Sequence, residues 1–92
     1  MEESLTKLIN EVREDFQIPP YASKELIGRL ITEGEAYFRQ LVPGCDYSAD
    51  AVYRGLLKNY AYYAYHHCVN DFLENYKSAI LTWQLHIVGS ES

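Results

Sequence analysis

The sequence predicts an all-α protein, a small bundle of three to four helices with no sheet. Apolar residues recur at helical spacing over most of the 92 residues. Pro19-Pro20 and Pro43-Gly44 interrupt this pattern and divide it into segments of helical length. The predicted helices cover about residues 4–16, 23–42, 48–72 and 76–88. A chain this short has room for one domain, residues 1–92, in which residues 89–92 form a frayed tail.

Composition and charge exclude several classes of protein. A content of 48% hydrophobic residues excludes a disordered chain. The net charge is −5 and the eight Lys and Arg residues are scattered, so the basic patch of a nucleic-acid-binding protein is missing. No apolar run approaches the ~20 residues that span a bilayer, and the acidic start differs from a signal peptide. We therefore expect a soluble protein made in the cytosol, with Cys45 and Cys68 as free thiols.

The first two helices each carry one apolar face. Ser4 is the predicted N-cap of the first helix and Ser23 that of the second. The apolar face of the second helix is about 140° wide, and Gly34 lies within it. A missing side chain there predicts a point where another helix crosses closely, at a cost of about 1 kcal/mol relative to Ala. The apolar residues of the first helix are Leu5, Leu8, Ile9, Val12 and Phe16.

The third helix is long, aromatic and free of proline, with Ser48 as its predicted N-cap. Its first half has one apolar face, which we assign to the core: Val52, Tyr53, Leu56, Leu57, Tyr60, Tyr63 and Ala64. From about Cys68 onward the apolar residues lie on the opposite side. Either the helix breaks between His66 and Asp71, or the second face contacts another chain, because a monomer rarely exposes such a band.

We favour the contact with another chain, a subunit interface, and keep the helix break as the alternative. Arg54 and Lys58 lie on the outer side of the same helix, where they could pair with acidic residues of a neighbour or remain solvated. The predicted interface residues are Tyr62, Tyr65, Val69, Phe72, Leu73, Tyr76, Arg54, Lys58, Leu81 and Leu85.

The final segment is apolar on two sides. Ala79, Ile80, Trp83 and Ile87 share one helical face, whereas Leu81, Leu85 and Val88 share another. We favour a final helix over about 76–88, although the alternation from Trp83 to Ile87 would also suit a short strand.

The residues that could carry chemistry do not form a recognisable site. His66 and His67 are adjacent, so on a helix they point about 100° apart and cannot readily share a metal ion. Cys68 is one turn from Asp71 rather than from a histidine that could act as its base. No glycine-rich phosphate loop occurs. The sequence predicts no enzyme, no metal and no cofactor.

The order of elements resembles a family of phage proteins. The short acidic helix LTKLINEVREDFQI leads through an extended turn to KELIGRLITEGEAYFRQL, and a Pro-Gly loop then precedes VYRGLLKNYAYYAYHHCVNDFLENY and KSAILTWQL. This resembles the small head-tail connector, or head-completion adaptor, proteins of long-tailed bacteriophages and prophages. The resemblance covers about residues 5 to 85.

The resemblance implies a structural virion protein without catalysis. Such a protein is an all-helical protomer that assembles into a homo-oligomeric ring beneath the portal protein, extends the DNA channel, and docks the tail or a stopper protein. It would lie in the virion, and in the host bacterial cytoplasm during assembly. DNA would pass through without specific binding, since an acidic wall repels it. The alternative is a small helical regulator or nucleic-acid-binding module.

Overall fold

The computed structural model describes the backbone of residues 2–91 and the side chains of residues 3–87, and this range contains five α-helices and no strand. They are α1 (Glu2–Asp15), α2 (Lys24–Leu41), α3 (Ala51–Tyr65), α4 (Val69–Asn75) and α5 (Lys77–Glu91). The all-α class is therefore confirmed. The number of helices is five rather than three to four, because the predicted long helix is divided.

α3 lies at the centre of the bundle and contacts each of the other four helices. Its neighbour α2 crosses it at Gly34, where an added Cβ would lie only 2.8 Å from Leu57 Cδ1 and 2.8 Å from Tyr60 Cδ1. Those distances are too short for any real Cβ, so glycine is what lets the two helices pack this closely. The helix crossing predicted at Gly34 is confirmed.

Side-chain caps set the start of two helices. The Ser23 hydroxyl accepts a hydrogen bond from the Leu26 amide at 3.0 Å, as predicted for α2. α3 is capped by Asp50 rather than Ser48, because Asp50 Oδ1 accepts from the amides of Val52 and Tyr53 at 3.0 and 3.1 Å. Ser4 is not an N-cap either, since it lies within α1. The predicted cap of α3 was therefore wrong by two residues, and the predicted cap of α1 lies inside its helix.

The predicted helix over residues 48–72 is wrong, because α3 ends at Tyr65. His67 has a φ of 59°, in the left-handed region. Its N–H donates to the Ala64 carbonyl at 3.0 Å, and the Cys68 N–H donates to the Tyr63 carbonyl at 2.9 Å. This pair of bonds is a Schellman motif, which satisfies the last carbonyls of a helix while turning the chain. α4 then runs back toward the core.

α1 ends in the same way as α3. Gln17 has a φ of 52°, and the Ile18 N–H donates to the Arg13 carbonyl at 3.0 Å. Neither of the two left-handed positions is a glycine or an asparagine, the residues that usually mark this turn. The end of α1 was nevertheless predictable from the following prolines, whereas no proline follows His67.

An aromatic cluster forms the centre of the core. The Phe38 ring packs edge to face against Tyr53, Tyr60, Phe72 and Trp83, with centroid distances of 5.4, 6.2, 6.3 and 5.6 Å. Phe38 and Phe72 are both fully buried. Because these rings come from α2, α3, α4 and α5, one cluster joins four of the five helices.

α5 confirms the predicted final helix, and the strand alternative is not adopted. The helix continues to Glu91, so the predicted tail is helical over most of its length. Ser92 lies outside the described residues.

Candidate subunit interface

Two of the predicted interface residues belong to the protomer's own core. Phe72 is fully buried, because the turn at His67 brings α4 back against α2 and α3. The Tyr76 ring stacks on Phe72 at 4.9 Å, and its hydroxyl donates to Asn59 Oδ1 at 3.0 Å. The prediction that Phe72 faces outward is thus wrong, and the helix break accounts for it.

Arg54 and Lys58 bind acidic residues of the same chain. Arg54 Nε donates to Glu11 Oε1 at 3.0 Å, and a second guanidinium nitrogen contacts the other carboxylate oxygen. Lys58 Nζ lies 3.3 Å from Glu11 and 2.7 Å from Asp15. The hydrogen bond from Arg54 outweighs the desolvation of the carboxylate and lowers the pKa of Glu11. These two cations therefore hold α1 on α3, and are not free to pair with a neighbour.

Four further predicted interface residues are partly covered within the protomer. Tyr62 stacks on Phe16 of α1 with a centroid distance of 4.4 Å and an interplanar angle of 12°. Tyr65, Val69 and Leu73 are half-buried against the core. They remain accessible along one edge, but most of their apolar surface already has a partner in this chain.

The last two predicted interface residues, Leu81 and Leu85, are the most exposed part of that set. Their side chains are 54% and 63% exposed, and they lie one turn apart on α5. On the opposite side of this helix, Ile80 and Trp83 are buried in the core. We call Leu81 and Leu85 the α5 ridge. α5 therefore has apolar residues both on its buried side and on its exposed side.

A groove of about 610 Å³ lies beside the ridge, between α5 and the start of α3. Trp83 lines the groove, and its Nε1 donates to Asp50 Oδ2 at 2.9 Å, which joins α5 to the cap of α3. Val52, on the other wall, is 59% exposed. We call this feature the α3–α5 groove, and its lining residues are Asp50, Val52, Ser78, Ala79, Thr82, Trp83 and His86.

The prediction that Val52 belongs to the core is wrong, and the groove was therefore not predicted from the sequence. The buried face of α3 also includes Ala61. The centre of that face therefore lies about 110° around the helix axis from Val52. One signal of its exposure was available in the sequence. Val52 lies in the first turn of α3, two residues after the Asp50 cap, at one end of the helix.

Residues capable of chemistry are not brought together. Within the described side chains, no group of three or more His, Cys, Asp or Glu residues could hold a metal ion. The His66 ring instead packs edge-on against Tyr62 and Tyr65, at 4.8 and 5.1 Å. Cys45 is a free thiol whose pKa is raised by burial, which disfavours the nucleophilic thiolate.

Comparisons with known proteins add no assignment. A scan against models of protein families, a search of curated proteins and a search of solved structures each found no match. Among the described residues, no helix combines the length and the apolar character needed to cross a membrane.

Proposed function

We propose that this chain is a structural subunit of a phage head-tail connector. It would form a ring under the portal protein, extend the DNA channel, and dock the tail or a stopper protein. The observation that carries the proposal is the α5 ridge, where Leu81 and Leu85 are more than half exposed. A contiguous exposed apolar surface is typical of a site of interaction with another protein, and the ridge lies beside the exposed Val52 and the α3–α5 groove. The resemblance of the sequence to connector proteins supplies the kind of assembly.

The distribution of the cations supports passage of DNA without binding. The chain has eight Lys and Arg residues against thirteen Asp and Glu residues. Arg54 and Lys58 already bind carboxylates on α1, and Arg39 pairs with Glu35 at 3.6 Å. The Arg13 guanidinium donates to the Ala22 carbonyl. With these four groups engaged, the other four cations are Lys7, Lys24, Arg29 and Lys77, which are scattered along an acidic chain, so this distribution disfavours the alternative of a nucleic-acid-binding module.

The contacts that join the first three helices suit a structural role. Ion pairs hold α1 to α3, and the glycine crossing holds α2 to α3. A subunit that must repeat around a ring needs one conformation, since each interface has to meet the next in the same geometry. In this proposal the first three helices supply that fixed frame, and α5 supplies the contact surface.

The test is assembly with the portal protein of the same phage or prophage. The purified chain is mixed with its portal protein, and the mixture is examined by native mass spectrometry and electron microscopy. We expect a closed ring of several copies on the portal. A portal protein from an unrelated phage serves as the control and should not recruit the chain. A chain that stays monomeric with its own portal contradicts the proposal, and salt-dependent DNA binding would favour the alternative.

A further inference from the structure

The α5 ridge and the α3–α5 groove lie on different faces of one helix. At about 100° per residue, the centre of the groove-lining positions of α5 lies about 110° around the helix axis from the centre of the two ridge leucines. One face projects two leucine side chains, and the other is a depression with the exposed Val52 on its wall. The chain thus presents a projecting apolar surface and a receiving apolar surface that do not overlap.

The charges beside the two surfaces are opposite. Lys77 precedes Leu81 by one helical turn, so Lys77, Leu81 and Leu85 form one row along α5. Lys77 is exposed and makes no ion pair within the described residues. Asp50 lines the groove, and its carboxylate is bound by Trp83 Nε1 and backbone amides, with no cation of the described chain paired to it. A leucine row laid in the groove with its Lys77 end toward α3 would pair this cation with the Asp50 carboxylate.

We infer that the α5 ridge of one subunit fills the α3–α5 groove of the next, with a second copy of this chain as the occupant. A contact between two different faces is heterologous, and repetition leaves one ridge and one groove open at the ends until the assembly closes. This inference rests on the proposed function and names the surfaces through which the ring would form. A two-fold contact of ridge against ridge would instead stop at a dimer.

The inference is tested by disabling one face at a time. The ridge variant carries Leu81→Gln and Leu85→Gln, and the groove variant carries Ala79→Gln and Thr82→Gln, which places longer side chains in the groove. All four positions are exposed on α5, and glutamine leaves the net charge unchanged and is a good helix former. The control is Tyr21→Gln, because Tyr21 is 86% exposed and remote in sequence from both surfaces.

Native mass spectrometry with and without the portal protein measures assembly, and circular dichroism measures folding. Each double variant alone should associate at least 100-fold more weakly than the wild type, which equals about 2.8 kcal/mol at 1.4 kcal/mol per tenfold. An equimolar mixture of the two variants should form one-to-one heterodimers, since one intact ridge meets one intact groove. The Tyr21→Gln control should assemble as the wild type does.

Three results would overturn the inference. If both double variants still assemble like the wild type, the inference fails while the proposed function stands. If each variant is folded and monomeric but the mixture forms no heterodimer, the two surfaces do not meet each other, and another occupant covers them. If the wild type itself remains monomeric with its portal protein, the inference and the proposed function fail together.

Discussion

The first three helices and the last two bury their apolar residues very differently. In α2 the apolar face is turned inward, with Ile27, Ile31 and Phe38 essentially inaccessible. In α5 the inner residues Ile80 and Trp83 are buried, yet Leu81 and Leu85 on the outer side are not. In the first part of the chain the large apolar residues are covered within the protomer except Tyr21 and Val52, and Val52 lies on the wall of the α3–α5 groove. In the last part a whole row of one helix is exposed, which is why we look there for a partner.

The two parts also differ in what holds them. α1 is fixed to α3 by the ion pairs of Arg54 and Lys58, and α2 is fixed by the close crossing at Gly34. α5 is joined to α3 mainly through Trp83, which stacks on Tyr53 at 5.2 Å and donates to Asp50. Changes to the first part should therefore cost stability, and changes to the outside of α5 should cost assembly.

Phe38→Ala should have the largest effect on stability. The ring joins α2 to α3, α4 and α5, and removing it leaves a cavity at the centre of the aromatic cluster. We expect a loss of about 3–5 kcal/mol in the free energy of unfolding, measured by urea denaturation. That is a large part of the total stability of a small domain, about 5–15 kcal/mol. A loss below 1 kcal/mol would show that the first three helices and the last two do not share this core.

Gly34→Ala should destabilise the protein, whereas Gly55→Ala should stabilise it. Both glycines lie in helices, so both substitutions gain about 1 kcal/mol of helix propensity. At Gly34 the new Cβ would lie 2.8 Å from a buried leucine and a tyrosine ring, and such overpacking costs about 1–3 kcal/mol. At Gly55 a Cβ would meet nothing within 4 Å. The two variants should differ by about 2 kcal/mol in urea denaturation, and equal stabilities would contradict the crossing.

Glu11→Gln should weaken the attachment of α1 and remove a pH dependence. The pKa of Glu11 is lowered in the folded protein, chiefly by its hydrogen bonds with Arg54. Its contribution, about 1 kcal/mol for a partly buried bidentate pair, is therefore complete above the ordinary carboxyl pKa of 4.5. It is lost as the pH falls below that value through the lowered pKa. The Gln variant should lack this part of the acid-induced loss in thermal melts at pH 7 and below.

Glu14→Gln is the matched control for Glu11→Gln. Glu14 is an exposed glutamate on the same helix and forms no ion pair among the described residues. Its substitution should leave both the stability and its pH dependence nearly unchanged. If the two variants behave alike, the ion pairs of Arg54 and Lys58 do not stabilise the attachment of α1.

The sequence was sufficient for α1 and α2, since both have a clear 3.6-residue period and a clear stop. Pro19-Pro20 and Pro43-Gly44 end them, and Ser23 begins the second. Caps were less predictable, because Ser48 and Asp50 both have suitable side chains and only the geometry of the loop decides between them.

The main error was to favour a second face in contact with another chain over the alternative, a helix break between His66 and Asp71, which the structure contains at His67. A left-handed residue usually appears in a sequence as glycine, but here a histidine adopts that conformation because the turn buries Phe72 in the aromatic cluster. Tertiary packing thus outweighs the cost of placing a residue other than glycine in the left-handed region, which is about 1–2 kcal/mol. Periodicity alone placed Phe72 and Tyr76 outside. Leu81 and Leu85 lie on the side of α5 opposed to Ile80 and Trp83 and are exposed, and their place in a subunit interface stays a prediction.

His67→Gly should stabilise the protein by about 0.5–1 kcal/mol. Glycine adopts a φ of 59° without the clash of a Cβ, and part of that gain is offset by the greater freedom of glycine in the unfolded chain. Gln17→Gly, at a φ of 52° in the same kind of turn, should behave similarly. Thermal denaturation measures both. Destabilisation at His67 alone would indicate that the histidine side chain supports the turn between the two parts of the molecule.

Leu85→Ala should change stability least, within about 0.5 kcal/mol, because the side chain is 63% exposed and alanine is a good helix former. Its matched control is Ile80→Ala on the inner side of the same helix, where loss of a buried side chain costs about 2–5 kcal/mol. Urea denaturation of dilute, monomeric protein measures the loss of stability in each of the two variants. A large loss at Leu85 would mean that the outer side of α5 already stabilises the protomer, and that its exposure does not mark a surface kept for another chain. A negligible loss would show that this side chain contributes little to folding, as the proposed contact with another chain requires.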